Sequence, residues 1–244
     1  MSSRVVRHLL VNADDFGMSP GVNRGIAAAH ENGIVKNASL MVRFPAAAAA
    51  AAYAREHPDL SVGLHIDLGE WVSAGDDWVP LYTVIPVDDR GAAEDEIARQ
   101  LATFRELLGH DPTHLDSHQH VHLEEPVRSI AVALAAELGV PLRRCDPRIQ
   151  YCGSFYGQIG HGETWLQGVS VTNLLAILAD LPPGVTEICC HPGFDDGLAT
   201  PYRLEREHEV RALCDPRVRS ALQTHGIELA RFDSWSDAAG GESG

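Results

Sequence analysis

"HLLVNADDFGMSPGVNRGI", residues His8–Ile26, is the stretch on which the fold turns. An apolar run, Leu9-Leu10-Val11, gives way to Asn12 and then to two adjacent carboxylates, Asp14 and Asp15. The apolar run reads as a buried strand. Ser19 and Pro20 then supply a cap and a first-turn residue for a helix running toward Asn32, with Gly33 as its stop. Two carboxylates held close disfavour each other's charge, so the pair calls for a cation, a shared proton or open solvent.

Working outward, the same unit recurs. "NASLMV" reads as a strand, the alanine run Ala46–Ala52 as a small-residue helix, and "LSVGLHIDL" as a strand ending near His65. Ile97, Leu101, Phe104 and Leu108 fall at helical spacing before Gly109, and "THLD" is the next strand. A helix from Pro126 carries Val127, Ile130, Leu134 and Leu138 on one face and precedes a short strand, "VPLRR". A helix from Ser170 leads to the strand "TEICC", and one over Pro216–Thr224 leads to "IELARF". About seven alternations imply an α/β fold with a parallel sheet covered by helices. At 244 residues they imply a distorted (β/α) barrel of about seven parallel strands, with an open doubly wound sheet as the rival. One catalytic barrel domain is expected over 1–236, with a polar, glycine-rich flexible tail over 237–244.

Composition narrows the partners. With 19 basic against 34 acidic residues the formal net charge is -15, which disfavours nucleic acid and anionic membranes as partners. A neutral or cationic small molecule fits better. No segment has the length of a membrane span, and five cysteines without a CxxC pair suit a reducing compartment, so a cytoplasmic protein is expected. A homodimer is the assembly favoured by general frequency.

The polar residues concentrate where strands end. Asp14 and Asp15 follow the first strand, His65 ends the third, Asp116 and His118 end the fourth, and His191 follows "EICC". In parallel α/β folds the active site forms at that edge. Asp15, His65 and His118 form a plausible divalent-metal set, which would also stabilise the aspartate pair. Each residue has a plainer reading. An isolated Asp-Asp can simply cap a helix, and a lone histidine between Leu64 and Ile66 is commonly a hydrogen-bonded core residue. In "HLDSHQHVH" four histidines compete, and if the strand persists His118, His120 and His122 share one face, so spacing does not choose among them.

"NADDFGMSPGVNRGI", "VGLHIDL", "PTHLDSHQHVH" and "CHPGF", in this order, resemble the motifs of the YdjC-like carbohydrate deacetylases, including the chito-oligosaccharide type. The resemblance covers Leu9 to about Phe194. It implies a distorted barrel and divalent-metal-dependent removal of the acetyl group from an N-acetylated sugar; mixed nitrogen and oxygen ligands suit Zn2+, with Mg2+ or transition metals such as manganese, cobalt or nickel as alternatives. By motif position it makes Asp15, His65 and His118 metal ligands, Asp14 the general base and His191 a catalytic-site residue. Gln119 stands where the family often has histidine. Sugar faces stack on aromatic rings, so Trp71 and Tyr156 are candidate substrate contacts, with Trp78, Tyr82 and Trp165 as further loop aromatics. Two rival classes are a metal-stabilised sugar-binding module without turnover and an iron oxygenase built on His65, Asp67 and His118.

Overall fold

The computed structural model describes residues 6–75 and 77–234. The flexible tail expected over 237–244 lies outside the described residues. In chain order the elements are β1 (Arg7–Phe16), α1 (Pro20–Glu31), β2 (Asn37–Leu40), α2 (Ala47–Glu56), β3 (Ser61–Ile66), β4 (Gly69–Ala74), β5 (Asp77–Thr83), α3 (Arg90–Leu108) and β6 (Leu115–Ser117). There follow α4 (Val127–Leu138), β7 (Ile149–Cys152), β8 (Gln158–Ile159), β9 (Glu163–Thr164), α5 (Val171–Ala179), β10 (Gly184–Cys190), α6 (Leu204–Leu213), α7 (Pro216–His225) and β11 (Ile227–Leu229).

Seven strands form one parallel sheet in the order β6-β3-β2-β1-β10-β7, with β11 pairing the start of β1. β1 is central because its residues are apolar toward both layers: Leu9, Leu10, Val11 and Ala13 are all buried. The sheet curls into an open half-barrel with helices around it, the distorted barrel expected from the alternation. Leu142, in the expected strand "VPLRR", makes a single bridge to Leu115, and the seventh strand is Ile149–Cys152 instead. The alanine helix α2 is real and buries Ala47, Ala50, Ala51 and Ala54, a narrow face that brings its backbone close to the core.

Three features of the opening stretch position the site. Ser19 caps α1 by accepting the Val22 N–H at 3.1 Å. The register between β1 and β2 shifts between Ala13 and Phe16, and Asp15 takes the left-handed φ of 66°. Successive side chains of a regular strand point to opposite faces, so this bulge is what turns two neighbouring aspartates toward one mouth. The third feature is Gly25 on α1: a Cβ there would come within 2.3 Å of Gly193 Cα, so glycine lets the segment after β10 lie directly on the helix.

Two antiparallel hairpins, β4–β5 and β8–β9, interrupt the alternation. Both flank the carboxyl edge of the sheet and carry exposed apolar side chains, Trp78, Val79 and Leu81 on one and Ile159 on the other.

Candidate metal centre and cleft

A cleft of about 800 Å³ opens at the carboxyl edge of the strands. Asp14, Asp15, His65, His118 and His191 all line it, as do Trp71 and Tyr156. The expected strand-end residues therefore converge on one place. His118 is not on a strand: β6 stops at Ser117, and the chain turns through Gln119 and His120 at φ of 49° and 57°. That turn separates the histidines that a continuing strand would have placed on one face.

Asp15, His65 and His118 are buried and present ligand atoms within 4.8 Å of one another. Asp15 Oδ1 lies 3.4 Å from His65 Nε2 and 3.1 Å from His118 Nδ1. Ligands about 2.1 Å from an ion stand about 3.4 Å apart in a tetrahedral shell and about 3.0 Å in an octahedral one, so the spacing fits a divalent ion. His65 Nδ1 is engaged by Asp116 Oδ1 at 2.7 Å, which leaves Nε2 facing Asp15. A carboxylate behind a ligand histidine fixes the ring and its tautomer. Burial opposes charge on both rings, yet Asp116 raises His65 to about 10 and Asp15 raises His118 to about 9. The pocket is electrostatically built to hold positive charge. Burial also pushes the Asp15 carboxyl up, but the Arg206 guanidinium, 2.7 Å from Oδ2, and the His118 ring hold it well below the usual carboxylate range.

Asp14 sits beside this set with different partners. Arg143 grips it with two nitrogens, at 2.6 and 2.7 Å, and Asn12 donates to it at 2.8 Å. Burial would favour its protonated form, but Arg143 outweighs that and lowers it. His191 Nε2 is 3.8 Å from Asp14 Oδ2. Glu209 receives the His191 backbone N–H and lies 3.8 Å from its Nδ1. Tyr156 stacks on Tyr202 at 5.0 Å and meets the His191 ring edge-on at 5.8 Å.

The remaining histidines of the cluster separate cleanly. His114 bonds Ser39 and stacks on Phe232, and burial pushes it down to about 4. His122 is held by Ser117 and the Arg143 carbonyl, and burial lowers it to about 4. His120 meets the Tyr151 hydroxyl at 3.2 Å. Asp67 of the oxygenase reading is occupied by Arg43 at 2.8 Å and Tyr82 at 2.9 Å, outside the metal set. Of the loop aromatics, Tyr82 is thus tied to Asp67 rather than to the cleft, whereas Trp78 lines it. His161 also lines it. All five cysteines are free, and Cys189 lies in the cleft against the Tyr151 hydroxyl.

Several functional contacts had no sequence signal. Arg143 binds Asp14, Asp116 and Glu187 at once, yet "LRR" looks like any basic pair. α6, "LEREHEVRAL", reads as a solvated charged segment, but Glu205, Arg206 and Glu209 are all buried and hold the cleft wall, Asp15 and His191. Gln119 exchanges two 2.8 Å hydrogen bonds with the backbone of Trp71, which fastens the β4–β5 hairpin to the turn that carries His118.

A family model described as YdjC-like protein matches residues 8–224. The chain belongs to the YdjC-like family. Within reach of it are a carbohydrate deacetylase of Geobacillus stearothermophilus, 31% identical over 93% of this chain and 97% of its own, and a chitooligosaccharide deacetylase of Klebsiella pneumoniae (strain 342), 32% identical over 93% and 98%. A crystal structure from Enterococcus faecalis V583, described as a cellobiose-phosphate cleavage protein, superposes with a TM-score of 0.77 at 26% identity, covering 94% of this chain and 98% of that one. A family 4 acetyl xylan esterase from Clostridium thermocellum, solved with a cobalt ion, shares the fold at a TM-score of 0.54 and 14% identity, over 96% and 92%. Among the described residues no helix is long and apolar enough to cross a membrane.

Proposed function

We propose that this YdjC-like chain is a divalent-metal-dependent hydrolase that removes the acetyl group from an N-acetylated amino sugar of the N-acetylglucosamine type and releases acetate. The observation that carries the reading is the bulged aspartate pair, which puts Asp15 in a three-residue ligand set with His65 and His118 and Asp14 beside it in the same cleft; Asp14 also falls within ligand distance of His65 and Asp116, but Arg143 already neutralises that group by pairing with both aspartates. A metal held only for structure needs no such neighbour. The names of the Geobacillus and Klebsiella relatives support the substrate class.

Asp15, His65 and His118 would hold the ion, and two imidazoles with one carboxylate suit zinc while admitting magnesium or another transition metal. When bound, such an ion supplies positive charge that acidifies water and polarises the acetamide carbonyl. Asp14 is kept ionised and oriented by the two-nitrogen grip of Arg143, and it accepts the proton of the attacking water. The C–N bond then breaks, and the proton that Asp14 took from the water passes through His191, 3.8 Å away, to the departing amine. Glu209 holds the His191 backbone and faces its far nitrogen, which aims the ring at the cleft. Trp71 and Tyr156 both line the cleft and would contact the sugar.

The test is acetate release from N-acetylglucosamine and its oligomers by chelated protein re-supplied with single divalent metals, with Asp14→Asn as control. Turnover that needs metal and is lost in the variant is expected. Silence across the panel with metal bound would overturn the reading in favour of a binding module.

A further inference from the structure

Only one ring nitrogen of His118 faces the ligand set. Nδ1 lies 3.1 Å from Asp15 Oδ1, whereas Nε2 points toward Glu70 Oε2 at 3.8 Å. Both atoms of this second pair are buried, and neither has a hydrogen-bond partner. Buried polar atoms are nearly always paired, so two that face each other across a short gap call for a reason. The gap is too short to admit a water and only about 1 Å longer than a charge-assisted hydrogen bond. The other oxygen of Glu70 accepts from Thr200 Oγ1 at 2.9 Å, which aims the carboxylate. His65 shows the completed version: its Nδ1 is closed on Asp116 at 2.7 Å while Nε2 faces Asp15.

We infer that Glu70 is the positioning residue of His118: its carboxylate accepts from the Nε2–H, which leaves the Nδ1 lone pair free for the ion, and it ties the metal centre to the β4–β5 hairpin. The inference rests on the metal-centre reading above. Glu70 stands behind His118 and not in the ligand set, because it faces the nitrogen turned away from Asp15. Consecutive residues thus grip consecutive residues, His118 with Glu70 and Gln119 with Trp71. Thr200 extends the link to the segment after β10.

The test is Zn2+ affinity, measured by competition with a chromogenic chelator on the full chain and on Glu70→Ala and Glu70→Gln, together with the absorption spectrum of each when saturated with Co2+. Loss of a carboxylate behind a ligand histidine costs about 10–100-fold in metal affinity, and that is the loss expected for Glu70→Ala. Glu70→Gln keeps an acceptor without the charge and should recover part of it. The Co2+ band positions should not move. Affinities within twofold of wild type would overturn the inference, and so would shifted Co2+ bands, which would place Glu70 among the ligands. Should Glu70→Ala fail to fold, Glu70→Gln decides alone: wild-type affinity sinks the proposal. A wild-type chain that takes up no Zn2+ or Co2+ would defeat the metal-centre reading and this inference with it, whereas a binding wild type with unaltered variants defeats only the inference.

Discussion

Replacing Arg143 by methionine removes one buried charge while keeping a long side chain in place. In the native chain this guanidinium lies 2.6 Å from Asp14, 2.8 Å from Asp116 and 2.6 Å from Glu187, and all four residues are buried. Removing one partner of a buried ion pair costs about 3–5 kcal/mol, because the other charge is stranded. Here three carboxylates are stranded, but the cost does not triple, since the chain relieves it by taking up protons. Glu187 is the first to do so: burial already raises it to about 7 with Arg143 present. A loss of about 3–5 kcal/mol corresponds to about 6–20 °C in Tm for a domain of this size.

The sign of the pH dependence follows from the same residues. Asp14 and Asp116 are held below the ordinary 3.8 despite their burial, chiefly by Arg143, so their contribution is present above about pH 4 and lost as pH falls through their folded values. In Arg143→Met burial acts with that compensation gone, both carboxyls rise, and the folded state loses stability as pH climbs. The Tm deficit should therefore be larger at about pH 8 than at about pH 5.5. Differential scanning fluorimetry across that range is the assay, with acetate release alongside. Turnover should fall about 100-fold, in Arg143→Lys as well, because an ammonium cannot reproduce the two-nitrogen grip on Asp14. A Tm within about 2 °C of wild type at both pH values would refute the reasoning, since a stranded buried charge cannot be that cheap.

Chelation should abolish acetate release and lower Tm. At a metal concentration 100 times Kd the ion contributes about 2.7 kcal/mol, or about 5–11 °C, a shift that Asp15→Asn and His65→Ala should both lose. Glu187→Gln tests the floor of the cleft. A carboxyl raised from 4.5 to about 7 stabilises the fold while protonated and loses that contribution as pH rises through about 7, so the Tm of the variant relative to wild type should climb between about pH 5 and about pH 8; a flat difference would count against it. Gln119→Ala removes both bonds to the Trp71 backbone and should raise KM several-fold with little change in kcat, and equal losses in both would assign Gln119 another role. His191→Ala should lower kcat by about 100-fold or more, and retention of near-wild-type turnover would remove it from the chemistry.

What the sequence discloses and what it withholds divide along a physical line. Strand ends are legible because an apolar run must stop where the sheet meets solvent, so Asp14, Asp15, His65 and His191 could be placed on one edge before any distance was known. Their partners were not legible. Arg143 reaches Asp14 across 129 residues of chain and Arg206 reaches Asp15 across 191, and no local pattern records such a pairing. The charge pattern of α6 points the wrong way, since a run such as Leu204–Leu213 normally faces water. It is buried because Asp15, His191 and the loop around Gly157 each need a counterpart of opposite charge or a hydrogen-bond acceptor, and one helix face supplies all three. The histidine cluster fails for a different reason. Extrapolating β6 beyond Ser117 keeps the side-chain alternation, whereas the chain breaks it with two residues in left-handed backbone, at Gln119 and His120. That conformation is costly for residues other than glycine and is retained where the surroundings fix it. Here the fixing contact is the Gln119 amide on Trp71, so the departure at Gln119 is what seats the hairpin against the turn. The placement of His118 and the wall of the cleft are therefore set by one and the same turn, which is why neither could be read from the strand alone.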